Sequence, residues 1–537
     1  MSKASLTDEK NTTDLEASNK AQQLTMNQSE YQFFDQLILI GVPPKSMNSK
    51  SPSILSIFPS TQNYKKEEEF DKIIDFCFPC GFQGTLHEFN DSQFIFNEFP
   101  FFLCCSDGKK TYGACIQFYL PQNTNAYFAT NNNRRSPFCL CLLSRHPFFS
   151  SHFQFLTYLT YVLCGKEKIP TAKTRREMLP LKGFCHSSLT LDERSPVVAV
   201  YPGIHTPLGI VDILISYYKK TIPNQNVPFS DPLSTDFPLI IPNHLSPNNC
   251  MKMISLDVLF SSLPVNSIVY LYTSVLLEQK IVFVSNDPHK FSLCTIALSS
   301  LVWPFEPLTA VLPVLPHNFL SFLEAPTPYI IGLDKSYIKS ASSADVVVDL
   351  DQKLITIQER IPELPGASEL ITEITSILKD RAQEITPPCP HVCTFFALKR
   401  NPEYDRFISK CDKFIFPEKY LSMHPQKYIF TSSVVESIGD IFSTHISIPI
   451  NNYIISCFVT ESNGMEKPVT VLNKKLFLSI VDPSELEFYR KFFNTVVFQH
   501  YCKSASKAYE QIIGKFFPKS DFDKESKTDI ENLIKCF

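Results

Sequence analysis

The stretch LLEQKIVFVS, Leu276 to Ser285, decides how the middle of the chain is read. Its paired leucines close a helical face made by Ile268, Leu271, Tyr272, Val275 and Leu276, at spacings of three and four. The polar triplet Glu278-Gln279-Lys280 breaks that face, and Ile281 to Ser285 follows as a short apolar strand bounded by polar residues. Working upstream, Ser255 is read as the N-cap of a helix with Leu256, Leu259, Phe260 and Leu263 on one side, ended by Pro264. Downstream, a helix around Leu293, Ile296, Ala297 and Leu301 stops at WPFEP (Trp303 to Pro307), and TAVLPVL (Thr309 to Leu315) supplies another strand. A strand, a helix-length crossover and a strand predict a parallel, right-handed unit. With YIIGL (Tyr329 to Leu333), VVVDL (Val346 to Leu350) and KLITI (Lys353 to Ile357), residues 237–358 read as an α/β sheet covered by helices on both faces.

Before this module, short apolar runs recur at Gln36 to Pro44, Ser53 to Phe58, Phe76 to Phe78, Phe94 to Phe96, Phe101 to Cys105, Tyr112 to Leu120 and Phe138 to Ser144. Asp107-Gly108 between two of them is a hairpin signal. Phe155 to Leu163, with Leu156, Leu159 and Leu163 on one face, is an amphipathic helix. Residues 31–165 therefore read as an α+β module, an antiparallel sheet with helices. Residues 166–236 carry many prolines and read as a linker with short ordered pieces at VVAVY and IVDILISYY. Helical patterns at Leu370 to Leu378, Val434 to Phe442 and Leu486 to Val497 mark a mainly helical third part over 359–505. Residues 1–30 are polar, too poor in apolar groups to offset chain entropy, and are expected to be a disordered tail; residues 506–537, rich in Lys, Asp and Ser, read as a C-terminal tail. The fold class is α/β, with α+β in the first module.

The chain has 537 residues, enough for about three to four folded units. Fifty Lys+Arg against 54 Asp+Glu leave a net charge of -4, which offers no field for nucleic acid or an anionic membrane. Fourteen glycines are few for a phosphate-cradling enzyme. No run approaches the roughly 18 uncharged apolar residues of a membrane span. The polar N-terminus lacks an apolar signal block. Many of the 17 cysteines, such as Cys104, Cys105, Cys139, Cys141, Cys164 and Cys294, sit in apolar runs, as reduced thiols do in a reducing compartment. A cytoplasmic location is expected, extending to the periphery of vesicle or endosomal membranes through partners.

The sequence carries no Gly-x-Ser-x-Gly elbow, P-loop, dinucleotide fingerprint, zinc-protease pair or EF-hand loop, the local signatures of covalent catalysis or cofactor binding. Cys77-Phe-Pro-Cys80 has redox or zinc half-site spacing, but the flanking Phe76 and Phe78 argue for buried strand or turn. Cys389, His391 and Cys393 could offer zinc three ligands, yet Cys411 is the only nearby thiol and no clear second half-site follows at finger spacing. No metal, cofactor or catalytic residue is expected. Arg134, Arg135, Arg175 and Arg176 read as solvated loop residues.

Taken together, LLEQKIVFVS, WPFEP, LPVLP (Leu312 to Pro316) and EAPTPYIIG (Glu324 to Gly332), in that order, resemble the tripartite DENN domain family. FCFP (Phe76 to Pro79), DGKKTYGACIQFY (Asp107 to Tyr119) and CLCLLSRHPFF (Cys139 to Phe149) resemble its upstream module, which in the family is longin-like. IPELP (Ile361 to Pro365) and the Val481 to Cys502 helix resemble its downstream part, so the likeness spans about Phe33 to Cys502. It implies an upstream DENN module at 31–165, a central one at 237–358 and a downstream one at 359–505. It also implies guanine-nucleotide exchange on a Rab-type small GTPase, achieved by protein contact.

The GTPase surface is expected in the groove between the first two modules. Ser144, Arg145 and His146 would border it on one side and Glu278, Gln279 and Lys280 on the other. Trp303 is read equally as core or as interface, since tryptophan suits both. The polar triplet is read as a buttress of the helix-to-strand corner or as a partner contact. Two rival roles stay open: a GTPase-activating protein using Arg145 or Arg134 as an arginine finger, and a scaffold or effector that binds the GTPase without changing its nucleotide.

Overall fold

The computed structural model describes residues 33–41, 51–60, 67–82, 95–104, 109–119, 137–163, 197–200, 214, 217–218, 229–234, 237–241, 246–305, 309–380, 430, 432–461 and 469–505. Two sheets share one apolar core. The first has six strands, β1 (Gln36–Gly41), β2 (Ser53–Ser60), β3 (Ile95–Cys104), β4 (Lys110–Tyr119), β5 (Pro137–Ser144) and β6 (Val197–Val200), in the order β3-β4-β5-β1-β2-β6. Each neighbouring pair is antiparallel.

Helix α1 (Glu67–Cys77) separates β2 from β3, and α2 (Phe149–Leu163) follows β5. Every residue of β5 is buried, because both sheet faces are covered. The two-residue period of a strand sorts its side chains. Phe138, Leu140 and Leu142 face the α2 side with Phe149, Leu156 and Leu159. Cys139, Cys141 and Leu143 face the opposite side and join the core of the central module. A strand covered twice must be apolar throughout, which is why FCLCLLS reads as a continuous run. On the inner face a Cβ at Gly113 would stand 2.3 Å from the Phe101 ring, so that glycine is what lets the ring lie over β4.

The central sheet has the order β10 (Ala310–Leu312), β11 (Tyr329–Asp334), β9 (Ile281–Ser285), β12 (Val346–Asp349) and β13 (Leu354–Ile357). All are parallel except β13 at the edge. One face, carrying Ile281, Phe283, Ile330, Val346 and Val348, packs in the large core with α3 (Pro247–Ser262), α4 (Val265–Leu276) and α5 (Pro288–Leu301). The other face carries Val282, Val284, Tyr329, Ile331 and Leu333, and 3-10 stretches His317–Glu324 and Lys335–Ser343 cover it. A hairpin of β7 (Phe229–Ser234) and β8 (Phe237–Ile241) precedes α3.

The third part comprises α6 (Ala367–Asp380), α7 (Ser432–Cys457), the hairpin β14 (Phe458–Glu461) and β15 (Val469–Leu472), α8 (Lys474–Ile480), α9 (Leu486–Phe492) and helical residues 496–505. Its buried side chains belong to the same large core as the inner faces of both sheets. Tyr272 on α4 donates its hydroxyl to the Phe442 carbonyl at 3.0 Å, fixing α7 against the central module.

Several local readings are corrected. Phe76 to Phe78 is the end of α1 and a turn, not a strand. Ile95 to Cys104 form one strand where two were expected, and Pro100 inside it is tolerated because β3 lies at the sheet edge. Ser255 lies inside α3, where its hydroxyl folds back on the Met251 carbonyl at 2.6 Å; the cap is Ser246, which accepts from Asn249 N ahead of Pro247. Strand β10 is shorter than Thr309 to Leu315 and is separated from β9 by β11. VVAVY contributes β6, the edge of the first sheet. Asp107-Gly108, Arg134, Arg135, Arg175, Arg176, Cys389, His391, Cys393 and Cys411 fall outside the described residues.

His152 on α2 gives the first module a titratable buried site. Its Nδ1 is 2.8 Å from the Tyr217 hydroxyl, and its ring centroid is 5.2 Å from that of Phe33. Burial, reinforced by the charge of His146, lowers its pKa from 6.5 to about 3. The ring is thus neutral in the fold and protonates more readily once unfolded. Stability from this site is complete above pH 6.5 and is lost as pH falls from there towards 3. The loss is at most about 1.4 kcal/mol per pH unit. His152→Gln is expected to flatten the pH dependence of urea unfolding between about pH 6 and 4. An unchanged slope would refute this.

Candidate functional site

The corner between α4 and β9 is built by backbone first. Leu277 N donates to Thr273 O, Glu278 N to Val275 O at 3.0 Å and Gln279 N to Ser274 O at 2.9 Å, which closes the helix and turns the chain. Glu278 takes a φ of +56°, a conformation glycine fills without strain and other residues adopt at a cost of about 1 kcal/mol or more. What a glycine could not supply is its carboxylate: Val497 N donates to Glu278 Oε1 at 2.9 Å, satisfying an open amide at the start of helical residues 496–505. Lys280 N donates to Asp345 Oδ2 at 2.8 Å, and its Nζ lies 5.9 Å from the Tyr329 ring centroid. Gln279 reaches back to the Leu277 carbonyl at 3.4 Å. The triplet thus fastens α4, β9 and the third part to one another. Glu278→Ala is expected to destabilise the protein by about 1 kcal/mol and lower the melting temperature by a few degrees. A melting temperature equal to wild type would show that the cap contributes nothing.

Trp303 and Phe305 divide the WPFEP turn between solvent and core. Trp303 is 49% exposed, whereas Phe305 is fully buried. Phe305 stands 5.6 Å from the Phe492 ring and 4.5 Å from the Tyr501 ring. Val497 and Tyr501 lie one turn apart and bind Glu278 and Phe305 respectively, linking the two features. Val496 beside them is 48% exposed. This end of the molecule presents aromatic and aliphatic side chains on a base held by backbone hydrogen bonds, the kind of surface that anchors a protein partner.

The residues after β5 have separate contacts. Ser144 is buried; its hydroxyl donates to the Phe33 carbonyl at 3.2 Å and accepts from His146 N at 3.0 Å. Arg145 keeps a side chain 46% exposed, with Nε 3.5 Å from Asp35 Oδ1. Burial raises the Asp35 pKa, and the Arg145 guanidinium opposes that rise. The His146 ring stacks on Phe148 at 5.5 Å. The hydrogen bonds and ion pair of this group run to Phe33 and Asp35, and those of the Glu278 corner run to Asp345 and Val497. The exposure of Val496, and the joining of Phe305 to the corner through residues 497–501, were not legible in the sequence.

Beside the shared apolar core, specific polar contacts also join the two sheets. His289 Nδ1 lies 3.1 Å from the Glu98 carbonyl oxygen and 3.7 Å from Glu98 Oε1, with both residues buried. His317 N donates to Pro79 O at 2.9 Å, Asn318 Nδ2 to Asp75 Oδ1 at 2.8 Å and Cys80 Sγ to Asp334 Oδ2 at 3.0 Å. At the C-terminal ends of β9 and β12, where α/β sheets commonly take ligands, side chains are paired with one another. Asp351 accepts from Ser285 Oγ at 2.7 Å and Lys290 Nζ at 3.3 Å, and Lys335 Nζ stands 3.0 Å from Asp349 Oδ2.

Residues 205–353 match the family model of the DENN (AEX-3) domain, and residues 52–118 match that of the uDENN domain. The chain is 27% identical over 339 residues to the DENN domain and WD repeat-containing protein SCD1 of Arabidopsis thaliana, covering 61% of this chain and 25% of that protein. It is 26% identical over 373 residues to the MAP kinase-activating death domain protein of Caenorhabditis elegans, covering 62% and 25%. It is 24% identical over 350 residues to DENN domain-containing protein 1B of Mus musculus, covering 65% and 37%. The chain thus spans between a quarter and just over a third of the length of these relatives.

Proposed function

From the premise that this chain belongs to the DENN domain family, we propose that it is a guanine-nucleotide exchange factor promoting GDP release from a Rab-type small GTPase. The observation that carries this reading is that the two matched segments lie on two different sheets whose facing sides share one core. Such a body is stiff enough to hold a partner in a conformation the partner does not prefer. An exchange factor works by that preference: it binds the nucleotide-free GTPase better than the loaded one, so nucleotide and Mg²⁺ leave faster. A differential affinity of about 5.5 kcal/mol moves such an equilibrium through four decades, within reach of an interface of ordinary size. No nucleophile is required.

The contact surface in this reading includes Trp303 and the Glu278 to Lys280 corner, with Arg145 and His146 at the second border; Ser144 is buried and can act there only by holding His146 through its hydroxyl. The division into upstream (31–165), central (237–358) and downstream (359–505) parts belongs to the same reading, as does a cytoplasmic protein that visits vesicle or endosomal membranes through its GTPase. Among the described residues no helix is long and apolar enough to cross a membrane. The ion pair of Arg145 with Asp35 favours exchange over an arginine-finger mechanism, because a finger must leave its own partner to enter another active site. The test is capture of a panel of Rab proteins by the immobilised chain. Retention of one nucleotide-free Rab, released by added GDP or GTP, supports exchange; preferential retention of a GTP-loaded form would favour the effector reading.

A further inference from the structure

Cys77 ends α1, Cys115 lies on β4, and Cys139 and Cys141 lie on β5. Cys115 and Cys141 are directly opposite in the β4–β5 register, and Cys139 stands two residues along, opposite Gln117. All three strand positions therefore project to the inner face of the first sheet. Cys77 comes to the same face from the helix end, and all four cysteines are fully buried. The Cys77 and Cys115 sulfurs are 3.6 Å apart. The sulfurs of Cys77, Cys115 and Cys139 all lie within 4.8 Å of one another.

Buried cysteines are commonly small apolar residues, and one or two here would need no other account. Three sulfurs within 4.8 Å of one another, with Cys141 on the same sheet face, differ, because a disulfide uses only two and needs sulfurs at about 2.05 Å. Tetrahedral thiolate coordination at about 2.3 Å sets sulfurs about 3.8 Å apart, close to the separation found between Cys77 and Cys115. Gln117 Nε2 donates to the Cys77 carbonyl at 2.6 Å and accepts from Asn97 Nδ2 through its Oε1 at 2.7 Å, so an amide chain fixes the helix end that carries Cys77. The thiols also hydrogen-bond one another.

We propose that Cys77, Cys115 and Cys139, with Cys141 as the fourth ligand, form a binding site for a thiophilic d10 metal ion, Zn²⁺ in the first place. Binding releases the ligating thiol protons to solvent and changes no oxidation state. The site departs from the zinc half-site spacing of Cys77-x-x-Cys80, since Cys80 is turned away to Asp334. Its role is structural: the ion ties the end of α1 to β4 and β5, and the next residues, Pro79 and Cys80, carry the contacts to His317 and Asp334. A metal here stiffens the joint between the two sheets.

The test uses the full chain, purified under reductant from zinc-supplemented cells. Elemental analysis is expected to find about one zinc per chain, as a closed structural site holds. Cys115→Ser and Cys139→Ser should each lower the content at least about tenfold, and Cys80→Ser should leave it unchanged. Because a ligand variant can fail to fold, wild-type protein stripped by chelator is also titrated with Co²⁺. A near-ultraviolet thiolate-to-cobalt charge-transfer band with tetrahedral visible bands is expected. Stoichiometric uptake of Cu⁺ with the same cysteine dependence would also support the site. The proposal is overturned if the wild type holds less than about one-tenth of an ion per chain after loading with Zn²⁺ and with Cu⁺ and gives no cobalt–sulfur band. Equal metal loss in Cys80→Ser would overturn it too.

Discussion

Trp303→Ala is expected to slow Rab GDP release about 30-fold or more while leaving the melting temperature within about 2 °C of wild type. Half of this side chain already faces water, so truncating it removes little from the core. A surface change of this kind shifts stability by less than about 0.5 kcal/mol. Its value is spent at an interface: a tryptophan anchor removed from the centre of a protein contact costs about 2 kcal/mol or more, equivalent to about 30-fold. Trp303→Phe, which keeps an aromatic plane, should retain part of the activity. Full exchange activity in Trp303→Ala would remove this end of the molecule from the contact surface.

Phe305→Ala, two residues away, should do the opposite. Its ring is fully buried and wedged against Phe492 and Tyr501 of the third part. Truncation leaves a cavity where the central module meets residues 486–505 and is expected to cost about 3 to 5 kcal/mol, with Phe305→Leu costing less. Loosening of that contact should appear as faster amide exchange in residues 486–505 before the sheets are affected. If the melting temperature fell by less than about 1 °C, the third part would not be held through this ring. The pair of variants separates function from folding within one turn of chain.

How far the sequence carried this reading depended on the range of the interactions involved. Strand β9 is found where the apolar run Ile281 to Ser285 places it, because a parallel strand buried on both faces must be apolar along its whole length. Phe76-Cys77-Phe78 misleads because three apolar residues carry no periodicity of their own; the helix that owns the first two begins in the acidic run at Glu67. Ser255 has the chemistry of a cap, yet Ser246 followed by Pro247 was the better signal, since proline suits the first helical turn. Glu278 and Lys280 were legible as important polar residues at a corner. A buttress role was one of two readings open to them, but the groups they hold were not legible, since Val497 and Asp345 lie 219 and 65 residues away in sequence. Cys77 and Cys115 were likewise too far apart in the chain, by 38 residues, for any spacing rule to join them.

The central claim is that a body made of two sheets and a helical third part, sharing one core, prises nucleotide from a small GTPase. Release of fluorescently labelled GDP from a panel of Rab proteins, followed with sub-stoichiometric amounts of the full chain and excess unlabelled GTP, measures it most directly. The account predicts that release from at least one Rab accelerates about 100-fold or more, in proportion to the chain added. Unchanged release from every Rab, with faster phosphate production or tighter capture of a GTP-loaded form, would contradict it.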